Sequence, residues 1–169
     1  MLEPTQQEKV LLLVDVMQFS RAKADEEFEK TLEMTASLAA MLDRRGHALG
    51  LMTNGFLEGR ESSLVPIARH NQQLPAILEV LARLQMKPRL RITDALRRGI
   101  NLSWGLSCVC FFYQEDRTIG IMREYFKRTK IPAVFFVNHH VFSSNADRSM
   151  MTGIIYSLDS MDRKEAART

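Results

Sequence analysis

Five consecutive apolar residues, Val10 to Val14, run directly into Asp15 near the start of the chain. An apolar run of this length predicts a strand buried on both faces, as in a parallel sheet. Beyond a short loop, Phe28, Leu32, Thr35, Ala39 and Leu42 recur at helical spacing, and Asp25, Glu26 and Glu27 load the first turn with the charge that the helix dipole favours there. Arg44, Arg45 and Gly46 end that helix. His47 to Asn54 predicts a second strand with Leu49 and Leu51 on one side, and Asn54-Gly55, a pair that tolerates positive φ, predicts a turn after it. Leu64, Val65 and Ile67 predict a short strand, placed at a sheet edge by Pro66.

Leu74, Ile77, Leu78, Leu81 and Leu84 form the apolar stripe of the next helix, with Pro75 in its first turn and Lys87-Pro88 as its stop. Ile92 to Ile100 predicts a short helix capped by Thr93 or Asp94. Gly105 opens a continuous apolar run from Leu106 to Tyr113, a further strand buried on both faces, and Gln114, Glu115 and Asp116 form its polar exit. Ile121, Met122, Tyr125 and Phe126 mark the inner face of a helix over 117–130, and Ile131-Pro132 leads into a strand from Ala133 to Asn138. Gly153 to Tyr156 reads as an edge strand. Strand and helix alternating at this spacing predict an α/β fold, a doubly wound, mostly parallel sheet flanked by helices, with Leu11, Leu13, Leu51, Val109, Phe111, Val134 and Phe136 buried. The domain is expected over 10–160, after a lead-in over 1–9 and before a polar, frayed tail over 161–169.

At 169 residues, 46% hydrophobic and 25% charged, the chain has the makeup of one ordinary globular domain, so no second domain is expected. Cys108 and Cys110 alternate within an apolar strand and read as buried thiols on one face, which fits a reducing, cytoplasmic compartment. No apolar stretch approaches the roughly 20 residues that span a bilayer, and the start lacks the pattern of a signal peptide. Net charge is only +3. Its distribution is uneven, since Arg83, Lys87, Arg89, Arg91, Arg97 and Arg98 cluster against Asp94, and Arg123, Lys127, Arg128 and Lys130 crowd a later helix. A solvated helix face is one reading of these clusters, and an anionic membrane surface or an acidic partner is the other. Nucleic acid is not expected, because no basic stripe with interleaved exposed aromatics is present.

For catalysis, the phosphate-cradling, nucleophile-elbow and zinc-binding motifs are all missing. His139 and His140 follow a strand close to Ser143 and Ser144, but no carboxylate is positioned by the sequence to orient either histidine. Asp15, Asp94 and Asp116 stand at or near strand exits, the edge where open α/β sheets bind ligands. A hard divalent cation at Asp15 would need oxygen donors two and four positions on, and those positions hold Met17 and Phe19. Apolar residues in a loop at this edge either tuck into the core or present a contact surface.

The blocks Leu12 to Asp15, Phe28-Glu29, Ala36 to Ala40, Arg45-Gly46-His47, Gly50 to Gly55, Gln73-Leu74 and Ile77 to Arg83 together resemble the bacterial family of unknown function numbered fifty-eight, over about residues 10 to 140. The resemblance implies a von Willebrand factor type A-like domain within the Rossmann-like class. It also implies a longer parent chain with membrane-spanning helices, which would hold this domain at the cytoplasmic face of the bacterial inner membrane. Genes of that family often neighbour those of MoxR-type AAA ATPases and transglutaminase-like proteins. Its Asp-x-Ser-x-Ser metal pattern maps onto Asp15, Met17 and Phe19, so only the acid remains, while Thr93 and Asp116 correspond to its threonine and later acid. The expectation is a non-enzymatic, cofactor-free module that docks a protein partner, such as a MoxR-type ATPase, around Asp15, Met17, Phe19, Asn54, Thr93 and Asp116. The alternative is a metal-dependent binding module or hydrolase holding magnesium with Asp15, Thr93 and Asp116.

Overall fold

The computed structural model of the chain describes residues 8–60, 62–99, 105–139 and 154–157. The opening apolar run forms β1 (Lys9–Val14), followed by α1 (Val16–Ala22), α2 (Asp25–Arg44), β2 (Ala48–Thr53), β3 (Gly55–Leu57), β4 (Leu64–Ala68) and α3 (Gln73–Arg83). Then come β5 (Leu84–Pro88), α4 (Ile92–Gly99), β6 (Leu106–Gln114), α5 (Arg117–Thr129), β7 (Ala133–His139) and β8 (Ile154–Ser157). The main sheet runs β4-β2-β1-β6-β7-β8. All its pairings are parallel except that of β4 with β2. This is a mixed α/β, Rossmann-like architecture with helices on both faces.

Alternation along β1 sorts the two layers. Val10, Leu12 and Val14 point into a core with Phe19, Phe28, Leu32, Ile77 and Leu81, from the side of α1, α2 and α3. Leu11 and Leu13 point into a second core with Ile92, Leu96, Ile119, Met122 and Phe126, from the side of α4 and α5. A central strand covered on both faces has no solvent side, which is why its sequence is apolar throughout. Leu11, Leu13, Leu51 and Phe111 are buried as expected. Val109, Val134 and Phe136 are only half-buried, because the helical layer over the β6–β7 side of that face covers them incompletely.

The structure also differs from the sequence reading in several elements and faces. The segment after Asp15 is not a loop but a short helix, and it ends at Lys23, whose φ of 54° is left-handed. Asn54-Gly55 makes no positive-φ turn, and the chain continues extended into β3. Gly55 instead sits in a close approach: a Cβ there would lie 2.5 Å from Leu84 Cδ1 and 2.9 Å from Val16 Cγ2, so those side chains would have to shift. The third helix stops at Arg83, not at Lys87-Pro88, and the residues between form β5, which pairs with β3 in a separate two-stranded sheet. Two residues assigned to inner faces point outward, Leu78 at 38% and Ile121 at 44% exposure, while Val80 and Ile119 take the buried positions.

β4 is the antiparallel edge strand that Pro66 predicted, and Pro66 itself is exposed. β8 forms the opposite edge. No helix among the described residues is long and apolar enough to cross a membrane. The lead-in over 1–7, His140, Ser143, Ser144 and the tail over 161–169 lie outside the described residues.

Candidate functional site at the carboxyl edge of the parallel sheet

Buried polar side chains concentrate where the parallel strands end. Asp15, Gln18, Thr53, Asn54 and Asn138 all lie there and are all buried. Buried polar groups require hydrogen-bond partners, and these mostly find them in one another and in the backbone turning out of the sheet.

Asp15 leaves β1 and becomes the N-cap of α1, so the carboxylate meets the positive end of the helix. Its Oδ1 accepts from Met17 N at 3.1 Å and from Asn54 Nδ2 at 2.7 Å. Asn54 acts as a clip joining three segments. Its Oδ1 accepts from Val16 N at 2.7 Å, its Nδ2 also donates to Leu90 O at 3.0 Å, and its backbone carbonyl accepts from Arg89 N at 2.8 Å. The start of α1, the end of β2 and the approach to α4 are thereby tied together.

Across the switch between β1 and β6, Asp116 caps α5 in the same way, accepting from Thr118 N at 2.7 Å and Ile119 N at 3.4 Å. Burial raises the Asp15 pKa; hydrogen bonds from Asn54 and Met17 oppose the rise, the Asp116 charge adds to it, and Arg21 works against it. Thr93 stands half-buried in the first turn of α4, and no side-chain hydrogen bond joins it to either acid. Both acids therefore serve as helix caps. Among the described residues, no three His, Cys, Asp or Glu side chains gather as a metal cage.

Phe19 answers the question of tucking or contact. It is fully buried, with ring centroids 5.5 Å from both Phe28 and Tyr113, because the helical turn swings it inward under α2. Met17, two residues earlier, is half-buried. As candidate partner contacts, Asp15, Phe19 and Asn54 are thus corrected to the layer beneath the surface, leaving Met17, Thr93 and Asp116 partly accessible.

The sequence reading missed the roles of Gln18 and Asn138. Gln18 Oε1 accepts from Tyr113 N at 3.1 Å and Gln114 N at 3.0 Å, ending β6 by satisfying its last donors. Asn138 Nδ2 donates to Glu27 O and Thr31 Oγ1, each at 3.3 Å, anchoring β7 to α2. Gln18 Nε2 and Asn138 Oδ1 are buried without a hydrogen-bond partner among the described residues. Asn138 carried the same signal as Asp15, a polar residue closing an apolar strand, whereas Gln18 stood out only as part of the segment from Met17 to Phe19, with nothing to show that its side chain turns toward β6. Cys108 and Cys110 are buried free thiols, as expected. Burial pushes Cys108 up to about 12 and Cys110 upward as well, so neither is a thiolate nucleophile at neutral pH.

The raised Asp15 pKa has a measurable sign. A carboxyl whose folded pKa exceeds its unfolded value stabilises most below the unfolded pKa and loses that contribution as pH rises through the folded one. Asp15→Asn keeps an oxygen acceptor but cannot ionise. The stability of the parent relative to this variant should therefore fall in urea titrations as pH rises above the ordinary carboxylate range. A difference that grows with pH would mean that the hydrogen bonds from Asn54 and Met17 outweigh burial.

The chain matches no protein-family model and no curated protein.

Proposed function

We propose that this domain is a non-enzymatic interaction module that docks a protein partner at the carboxyl edge of its parallel sheet. One observation carries the reading: the two acids best placed for chemistry, Asp15 and Asp116, cap α1 and α5. Such an edge is a rigid platform, with Met17, Thr93 and Asp116 at its surface and Asp15, Asn54 and Phe19 holding it from below. The resemblance to von Willebrand factor type A-like domains supports the same reading and puts forward a MoxR-type AAA ATPase as the partner. It further implies a parent chain anchored at the cytoplasmic face of the bacterial inner membrane.

The direct test mixes the purified chain with the MoxR-type ATPase of the same genome and measures association by calorimetry or co-elution. Binding is expected, and Met17→Glu should weaken it by about tenfold or more, since charge at the centre of an interface costs at least 1.4 kcal/mol. A folded chain that binds equally well with and without that substitution rules out this edge as the docking site. Magnesium is expected to leave the melting temperature unchanged, because a ligand stabilises only what it binds. A rise in melting temperature at millimolar magnesium that Asp15→Asn abolishes would favour the metal-dependent alternative through Asp15, Thr93 and Asp116.

A further inference from the structure

The helical layers on the two faces of the sheet carry opposite charge. On one face, α2 holds Asp25, Glu26, Glu27, Glu29, Glu33 and Asp43 against Lys30 and Arg44. On the other, α4 and α5 hold Arg97, Arg98, Arg117, Arg123, Lys127 and Arg128 against Asp94 and Glu124. Of these, Arg123 pairs with Glu115 at 3.5 Å, while Arg97, Arg98, Arg117, Lys127 and Arg128 are exposed.

Within the basic layer sits an apolar point. Ile121 is the most exposed large hydrophobic side chain among the described residues, at 44%, and Tyr125 lies one helical turn further along the same face. Tyr125 is half-buried, its ring packed against the core beneath α5. The outer layer thus carries exposed arginines and lysines together with an exposed isoleucine and a half-buried tyrosine, with Glu124 as its exposed acid.

We propose that the α4–α5 face lies flat on an anionic lipid surface, with its arginines and lysines among the headgroups and Ile121 and Tyr125 dipping between them. Charge complementarity selects the occupant, since clustered Lys and Arg near a surface attract anionic lipid and their long stems let the charges reach the phosphates. Tyrosine suits the same layer, having an apolar ring and a polar tip. A protein interface would need more apolar anchorage than one isoleucine and one tyrosine, because its binding energy concentrates in a packed, desolvated centre. The acidic α2 layer on the far side of the sheet would be repelled by the same lipids, so the charge asymmetry also sets the orientation.

The test uses the full chain with vesicles of phosphatidylcholine, with and without phosphatidylserine, by co-sedimentation at low and physiological salt. Binding is expected only to the anionic vesicles and should weaken as salt screens the charges. Arg97→Glu with Arg128→Glu should reduce it by about tenfold or more. Lys30→Glu with Arg44→Glu, the same change in net charge on α2, should leave it nearly unaltered, and circular dichroism melts of both variants check that they fold. Ile121→Ser should weaken the part of the binding that salt does not remove. Absence of binding to anionic vesicles, equal binding to neutral ones, or equal loss in the two charge variants would overturn the proposal. A face that serves an acidic protein would bind anionic vesicles at low salt only, lose that binding at physiological salt and be unaffected by Ile121→Ser, which would also overturn the proposal. Met17→Glu, which tests the edge, should not change vesicle binding, so the two readings fail separately.

Discussion

Replacing Phe19 with serine is expected to lower the stability of the domain by about 3–5 kcal/mol, the range typical of truncating a buried aromatic. The ring is fully buried and packs between Phe28 of α2 and Tyr113 of β6, so its removal leaves a void among three elements at once. The new hydroxyl would add the cost of a buried polar group without an assigned partner. For a domain of this size the loss corresponds to a drop of roughly 6–20 °C in melting temperature. Met17→Ser, at a half-buried position, should cost far less. Urea titrations of the two single variants check this, and a Phe19→Ser protein within 1 kcal/mol of the parent would mean that the ring is not a core residue.

The second large effect is expected at Asn54. Asn54→Ala removes the partner of Val16 N, one partner of Asp15 Oδ1 and the side-chain donor to Leu90 O in a single step. Each buried group left unsatisfied costs about 1–3 kcal/mol, so a total near 4 kcal/mol is expected, less than the sum because the three groups relax together. Asp15 would also lose the hydrogen bond that most opposes the rise in its pKa. Asn54→Asp should be destabilised too, and increasingly as pH rises, since it sets a second carboxylate against the first. Amide exchange offers a spatial check: Val16 should lose protection in Asn54→Ala before the β1 amides do. A variant as stable as the parent would show that the clip contributes nothing.

The layout of the sheet was legible because it rests on local patterns. The run from Val10 to Val14 closing on Asp15 is apolar because both faces of β1 are covered, and that constraint lies within six consecutive residues. The stripe of α2, the edge placement of Pro66 and the strand over 106–114 follow from equally local rules of periodicity and of proline's missing donor. α1 escaped because its seven residues are too few to display a period, and it is held by a cap and a buried ring rather than by helix propensity.

At the candidate site the division is sharper. The residues after Asp15 showed that serine oxygens are missing there, and the strand exits marked Asp15 and Asp116 as edge residues. The sequence set Asp15 and Asn54 at the same edge, but nothing in it showed that they hydrogen-bond across 39 positions, or that Gln18 reaches the end of β6, 95 positions away. Gly55 was legible as a special glycine but not for its reason, because the side chains of Leu84 and Val16 approach it only once β3 and β5 pair. By itself the sequence determined the long helices and the strands of the parallel sheet, since their periodicity and apolar runs are properties of neighbouring residues, but not α1, β3 or β5. Only the tertiary structure decided that Phe19 is core, that two acids serve as caps and that opposite charges face away from each other across the sheet, since these depend on contacts that loop closure and packing bring together.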